Sequence, residues 1–218
     1  MKNNVKLPEM LTLDTRSSIE KLLAFSIGED KSKECIGRLL ERYGSLATAA
    51  SENEEELCRT LDVSMNTALL LKLVAYLDGR RVTDSFHYGE EHTELELREL
   101  IASLFSGASV EIAYVILLDD CGRVISWEHV SEGTVNASDI VPRKVLDLAR
   151  KKKSKNIILA HNHPKGTSSP SKDDIMTTGR LFNLFASVGV RLVAHYIVAD
   201  GEVGRIESDM LYNPDFKG

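Results

Sequence analysis

The stretch NIILA, residues 156–160, constrains the fold more than any other part of the chain. After Asn156 it is wholly apolar, and it is too short for a buried helix. It reads as a strand buried on both faces, the pattern of a central strand in an α/β sheet. Its neighbours agree. PRKVLDLARKKKSK (142–155) places proline at a first helical turn and cations at the last, the asymmetry of a helix with its dipole complemented. DDIMTTGRLFNLFASVG (173–189) is a second helix, closed by glycine. VEIAYVILLD (110–119), a DCG turn and RVISWEHV (123–130) form one hairpin. RLVAHYIVAD (191–200), a DG turn and EVGRIES form another. Strands alternating with helices place this region in the α/β class.

The chain before it has a different period. Residues 17–78 are helical throughout: SSIEKLLAFSI, KECIGRLLERYG stopping at Gly44, NEEELCRTLDV, and TALLLKLVAYLDG stopping at Gly79. The spacing predicts four short helices in a compact unit over residues 1–78. GRRVTDSFHYGEEH (79–92) breaks the periodicity, so residues 79–94 read as a linker. ELELRELIASLFSG then adds one amphipathic helix and opens the second domain, 95–218.

Composition excludes several classes. With 43% hydrophobic and 28% charged residues over 218 positions, the chain has enough apolar material for a true core. No run approaches the roughly 18 apolar residues of a membrane span. The first residues, MKNNVKLPEMLTLDTR, lack the apolar core of a signal peptide, which predicts a cytoplasmic protein without membrane partners. Cys35, Cys58 and Cys121 are widely spaced and include no CxxC, so they read as small buried hydrophobes. The net charge of −6 divides evenly: 12 Lys/Arg against 15 Asp/Glu in residues 1–90, and 15 against 18 in the rest. Neither half is a basic module, which argues against a general nucleic-acid binder. The local run RKKKSK (150–155) reads as a solvated helix end.

The chemistry concentrates in AHNHPKGTSSPSKDDI, residues 160–175. His161 and His163 follow directly on NIILA. In an extended chain, residues i and i+2 share a face, so the two imidazoles stand together at the carboxyl end of a buried strand. Ser171 and Asp174 have the N-cap and N3 spacing of a capping box, which puts Asp174 in the first turn of the following helix. Two imidazoles and one carboxylate suit one Zn²⁺, with the fourth tetrahedral position left for water. Zinc lowers the pKa of such a water from 15.7 to about 7. A second reading stays open on the residues alone: a polar loop in which Asp174, or Asp173, caps its helix. The letters HNH do not make a nuclease, whose three residues are spread along a longer element. The PCxxC of zinc deaminases and the HExxH of metalloproteases are absent.

The whole of His161 to Asp174, H-N-H-P-x-G-x-x-x-P-S-x-x-D, resembles the signature of the RadC proteins, bacterial members of the JAB/JAMM (MPN) metalloprotease superfamily. Pro164, Gly166, Pro170 and Ser171 match as well. GTVNASDIVPRKVLDLA (133–149) and DIMTTGRLFNLFASVGVRLVAHYIVADG (174–201) are similar to the family's flanking segments, with Val141 where a histidine is common. The resemblance implies a JAB/MPN-type α/β domain, a mixed sheet flanked by helices, preceded by a helix–hairpin–helix-like unit. It implies one Zn²⁺ on His161, His163 and Asp174. It also implies that Glu111 acts as general base, with Glu128 as its rival, and that Ser171 stabilises the oxyanion. In the N-terminal unit, LDVSMNTALLLKL (61–73) lacks the glycines that let a hairpin backbone approach phosphate, and Asp62 repels it.

Two functions follow from these readings. One is a zinc-dependent hydrolase cleaving an amide or isopeptide bond in a peptide substrate. The other is a DNA repair or recombination accessory factor, binding nucleic acid or a protein partner with the JAB domain as scaffold.

Overall fold

The computed structural model describes residues 15–132 and 140–207. The N-terminal residues 1–14, the GTVNASD portion of the family resemblance (133–139) and the last residues of the second domain (208–218) lie outside the described residues.

Among the described residues of the N-terminal unit there are five helices: α1 (Thr15–Ile27), α2 (Glu29–Tyr43), α3 (Leu46–Ala50), α4 (Glu54–Leu61) and α5 (Met65–Ser85). Their apolar faces meet in one core containing Leu23, Ile36, Leu39, Leu57, Leu61 and Leu71. Side-chain caps set the starts. Ser45, Asn53 and Ser64 each accept the backbone N–H three residues on, satisfying donors that a helix leaves free. The periodicity missed α3, because five residues of LATAA show no apolar repeat.

The expected helix end at Gly79 is corrected. α5 runs on to Ser85, so only residues 86–93 are non-helical before α6 (Glu94–Leu104). Gly79 is buried where α5 crosses the end of α6. A β-carbon there would lie 2.5 Å from Ser106 Cβ and 2.7 Å from the Ser103 carbonyl oxygen. Glycine serves a close helix approach here rather than a helix stop. Ser106 Oγ reinforces the crossing by donating to the Ala75 carbonyl at 2.6 Å.

The second region contains β1 (Ile112–Leu118), β2 (Val124–Glu132), α7 (Pro142–Lys152), β3 (Asn156–Asn162), α8 (Lys172–Ser187), β4 (Arg191–Ala199) and β5 (Glu202–Arg205). The strands lie in the order β2-β1-β3-β4-β5. β3 and β4 are parallel, joined through α8, while every other neighbouring pair is antiparallel. The sheet is therefore mixed, and both of its faces are covered. On one face Val115, Leu117, Ile157 and Leu159 pack with Val145 and Ala149 of α7 and Leu181 and Phe185 of α8. On the other, Ile116, Ile158, Ala160 and Tyr196 pack with Ile101 of α6. Every residue of β3 is buried, as its apolar run requires.

One cysteine departs from expectation. Cys35 is buried and Cys58 is half-buried, but Cys121 is exposed in the turn between β1 and β2. The Cys121 backbone N–H is held by Asp119 Oδ1, so its place is set by the turn and not by packing. Among the described residues, no single helix is long and apolar enough to cross a membrane.

Candidate metal centre

Alternation along β3 sends Ile157, Leu159 and His161 to the α8 face of the sheet, and His163, just past the strand with its N–H donating to the Val198 carbonyl, continues the alternation. α8 begins beside them. Its capping box is formed: Asp174 N–H donates to Ser171 Oγ at 3.1 Å, and Ser171 N–H donates back to Asp174 Oδ2 at 2.8 Å. Capping thus fixes the carboxylate's direction, and it points at the two imidazoles. His161 Nε2 lies 3.0 Å from His163 Nε2 and 3.2 Å from Asp174 Oδ1, and His163 Nε2 lies 3.4 Å from Asp174 Oδ2. His161 and Asp174 are buried, and His163 is partly so.

The remaining ring nitrogens settle where the protons sit. A carbonyl only accepts, so His163 Nδ1–H donates to the Thr167 carbonyl at 2.9 Å. The His161 side is a relay. Thr178 Oγ1 donates its single proton to the Asp174 carbonyl at 2.6 Å. His195 Nδ1, 2.6 Å from Thr178 Oγ1, must then be the donor of that pair. His195 Nε2 is left as the acceptor for His161 Nδ1–H at 2.9 Å. Both Nε2 atoms consequently present lone pairs to each other and to a carboxylate. Three acceptors converge with no donor among them, an arrangement that only a cation or an added proton reconciles.

The electrostatics agree. In the metal-free site, the Asp174 hydrogen bond raises the His163 pKa against its partial burial, and the charge of Glu111 adds to the rise. Burial pushes the Asp174 carboxyl up. Where added protons take the cation's place, hydrogen bonds from His161, His163 and Ser171 outweigh it and hold the group well below the usual carboxylate range. Full burial holds the His195 pKa well below its ordinary value, so the ring stays neutral, as its role as acceptor requires.

The donor set fits zinc. Bonds of about 2.0–2.1 Å in a tetrahedron place ligand atoms roughly 3.3 Å apart. The carboxylate meets His161 through Oδ1 and His163 through Oδ2, and one donor atom from each of the three residues lies within 4.8 Å of the others, the span one ion can draw together. Each imidazole also has its outer nitrogen engaged, as ligating histidines do.

Glu111 immediately precedes β1, two residues before Ala113, which pairs with His161. Extended alternation puts it on the same face as the histidines, and its charge reaches His163. Glu128 is placed otherwise: it pairs with Lys152 of α7 at 3.5 Å. Ser171 Oγ donates to Asp174 Oδ2 at 2.6 Å, so its hydroxyl serves the carboxylate as well as the cap.

Known proteins can now be set beside this geometry. The family model described as the RadC-like JAB domain matches residues 92–208, more than half of the chain. The chain belongs to the RadC family. Its RadC-like domain therefore comprises α6, the five-stranded sheet, α7 and α8. The chain is similar to a UPF0758 protein of Vibrio parahaemolyticus, at 32% identity over 75% of this chain and 74% of the relative. It is similar to one of Vibrio vulnificus at 34% over 76% and 74%. One from a Shewanella species matches at 30% over 76% and 74%. These likenesses extend beyond the RadC-like domain into the helical unit, and the names state no activity.

Sequence reasoning did not single out three residues of the RadC-like domain that organise the site: His195, Thr178 and Asn162. A histidine inside the otherwise apolar run RLVAHYIVAD was the available signal for His195, since buried polar residues need partners. Thr178 lies one turn beyond Asp174, at the i+4 spacing that joins one helix face. Asn162 lies between the two histidines and faces the other way.

Proposed function

We propose that the protein is a zinc-dependent hydrolase that cleaves an amide or isopeptide bond. The observation that supports this reading most directly is the convergence of three proton acceptors at the end of β3, with Glu111 on the same face. His161, His163 and Asp174 would hold the ion. When bound, zinc supplies a positive charge that stabilises developing oxyanion charge and acidifies a water molecule.

The protein's own groups supply the rest. Glu111 takes the proton from the attacking water and delivers it to the leaving nitrogen, a role that needs an unprotonated carboxylate beside the site. Ser171, the N-cap of α8, would turn its hydroxyl from Asp174 Oδ2 to the developing oxyanion. Losing one such donor typically costs about 10²–10³ in rate. In the metal-free site Asp174 is held ionised against its burial by hydrogen bonds, so it is ready to take up a cation.

The test is metal analysis together with cleavage of a quenched-fluorescent peptide carrying a lysine isopeptide bond. Stoichiometric zinc with cleavage that is lost in Glu111→Gln supports the reading. Zinc-loaded protein that cleaves no amide probe removes it.

The second reading, a DNA-binding accessory role, rests on the cations of α7. Several of these are already engaged: Lys152 with Glu128, and Arg143 and Arg150 with Asp147. Binding that weakens steeply with salt and is lost on replacing Lys151, Lys152 and Lys153 would favour this role. The absence of binding at low salt would exclude it.

A further inference from the structure

The β1–β3 ladder ends at the pair Ala113–His161. Strand ends fray, and Glu111 lies just past this one. β2 pairs with one edge of the segment through Ile112–Glu132, and on the β3 edge a side chain takes over from the ladder. The Asn162 Oδ1 accepts the Ile112 backbone N–H at 2.7 Å, and its Nδ2 donates to the Val110 carbonyl at 3.1 Å. These two bonds bracket Glu111 from both sides. Asn162 is only 4% exposed, so water does not readily replace them.

Alternation explains the division of labour. His161 and His163 point to the α8 face, and Asn162 between them points the other way, toward the start of β1. The amide side chain is the group this position requires. It is neutral and carries both an acceptor and donors. Aspartate would keep the acceptor and lose the donor, and leucine would keep the volume and lose both.

We propose that Asn162 is a positioning residue, whose side-chain amide extends the β1–β3 pairing by one step and thereby fixes Glu111 against the metal ligands. Three consecutive residues at the end of β3, His161 to His163, thus carry two ligands and the clamp on the base, so these two ligands and the base move as one body. The proposal rests on the hydrolase reading in assigning Glu111 a catalytic task; the clamp itself does not need it.

The experiment compares the full-length zinc-loaded wild type with Asn162→Leu, Asn162→Asp, Glu111→Gln and the double variant Asn162→Leu/Glu111→Gln. Three quantities are read. Amide hydrogen exchange at Ile112 should quicken at least tenfold in Asn162→Leu and remain near wild type in Asn162→Asp. Zinc stoichiometry should stay at one per chain in both. On the isopeptide probe, kcat should fall about 10²-fold in Asn162→Leu with KM little changed, as for a misplaced catalytic group. Asn162→Asp should recover part of that loss. The double variant should be no slower than Glu111→Gln alone, because Asn162 acts through Glu111. Unchanged Ile112 protection in a folded Asn162→Leu overturns the clamp. A further loss on top of Glu111→Gln overturns the claim that it acts through the base. Wild type that binds zinc yet leaves the probe intact refutes the hydrolase reading instead, and the exchange result still decides the clamp.

Discussion

Replacing His195 with phenylalanine keeps a ring of similar size in the sheet and removes the acceptor for His161 Nδ1–H. His161 is 3% exposed, so that N–H finds no water. Leaving a buried donor unsatisfied costs about 1–3 kcal/mol. The variant escapes the cost by moving the His161 proton to Nε2 or by turning the ring, and either change withdraws the lone pair offered to the metal. At about 1.4 kcal/mol per tenfold, this predicts a loss of zinc affinity of roughly 5- to 150-fold. The range matches the 10–100-fold typical of changes to groups that orient a ligand. Thr178→Val should lose less, since His195 still reaches His161 but its tautomer is no longer dictated. The assay is competition for zinc against a chromophoric chelator at pH 7.5, with circular dichroism to verify folding. Nitrogen-15 shifts of the histidine rings check the cause: His161 should be protonated at Nδ1 in wild type and not uniformly so in the variant. A folded His195→Phe that binds zinc as tightly as wild type would refute the relay.

Two further outcomes follow. In metal-free protein the raised His163 pKa contributes stability that is full below its unfolded value of about 6.5 and is lost as pH rises through the folded value. The lowered Asp174 pKa contributes stability above about 3.9, lost as pH falls toward its folded value. Zinc must displace the His163 proton, so the gap in Tm between zinc-loaded and chelator-treated protein should widen from pH 5 to pH 8; a gap that narrows contradicts the proton placement. Gly204→Ala would set a β-carbon 1.9 Å from the Ser168 carbonyl oxygen, forcing the loop between His163 and Ser171 off β5. Overpacking of this kind costs about 1–3 kcal/mol and should lower Tm by several degrees, with weakened zinc binding in a chelator titration; an unchanged Tm would show that the loop yields freely.

The legible parts of this protein were those where one physical rule acts alone. NIILA could be read as a doubly buried strand because no other element buries five residues so completely. The capping box and the i, i+2 spacing of the histidines are local, so Ser171, Asp174, His161 and His163 could be placed before their meeting was visible. Gly79 was misread because glycine both ends helices and permits close crossings, and only the position of α6 distinguishes the two. His195 and Asn162 were missed for a related reason. Each acts across strands, on a partner 34 or about 50 residues away, and register between strands is not written locally. Glu111 sits between these cases. Its position before a strand was readable, but its proximity to His163 depends on the β1–β3 register.

The central claim is that His161, His163 and Asp174 form one divalent-cation site. Metal analysis by mass spectrometry of wild type and His163→Ala, purified side by side without chelator, tests it most directly. The account predicts one zinc per chain in the wild type and a background level in the variant. Stoichiometric zinc in a folded His163→Ala would contradict it.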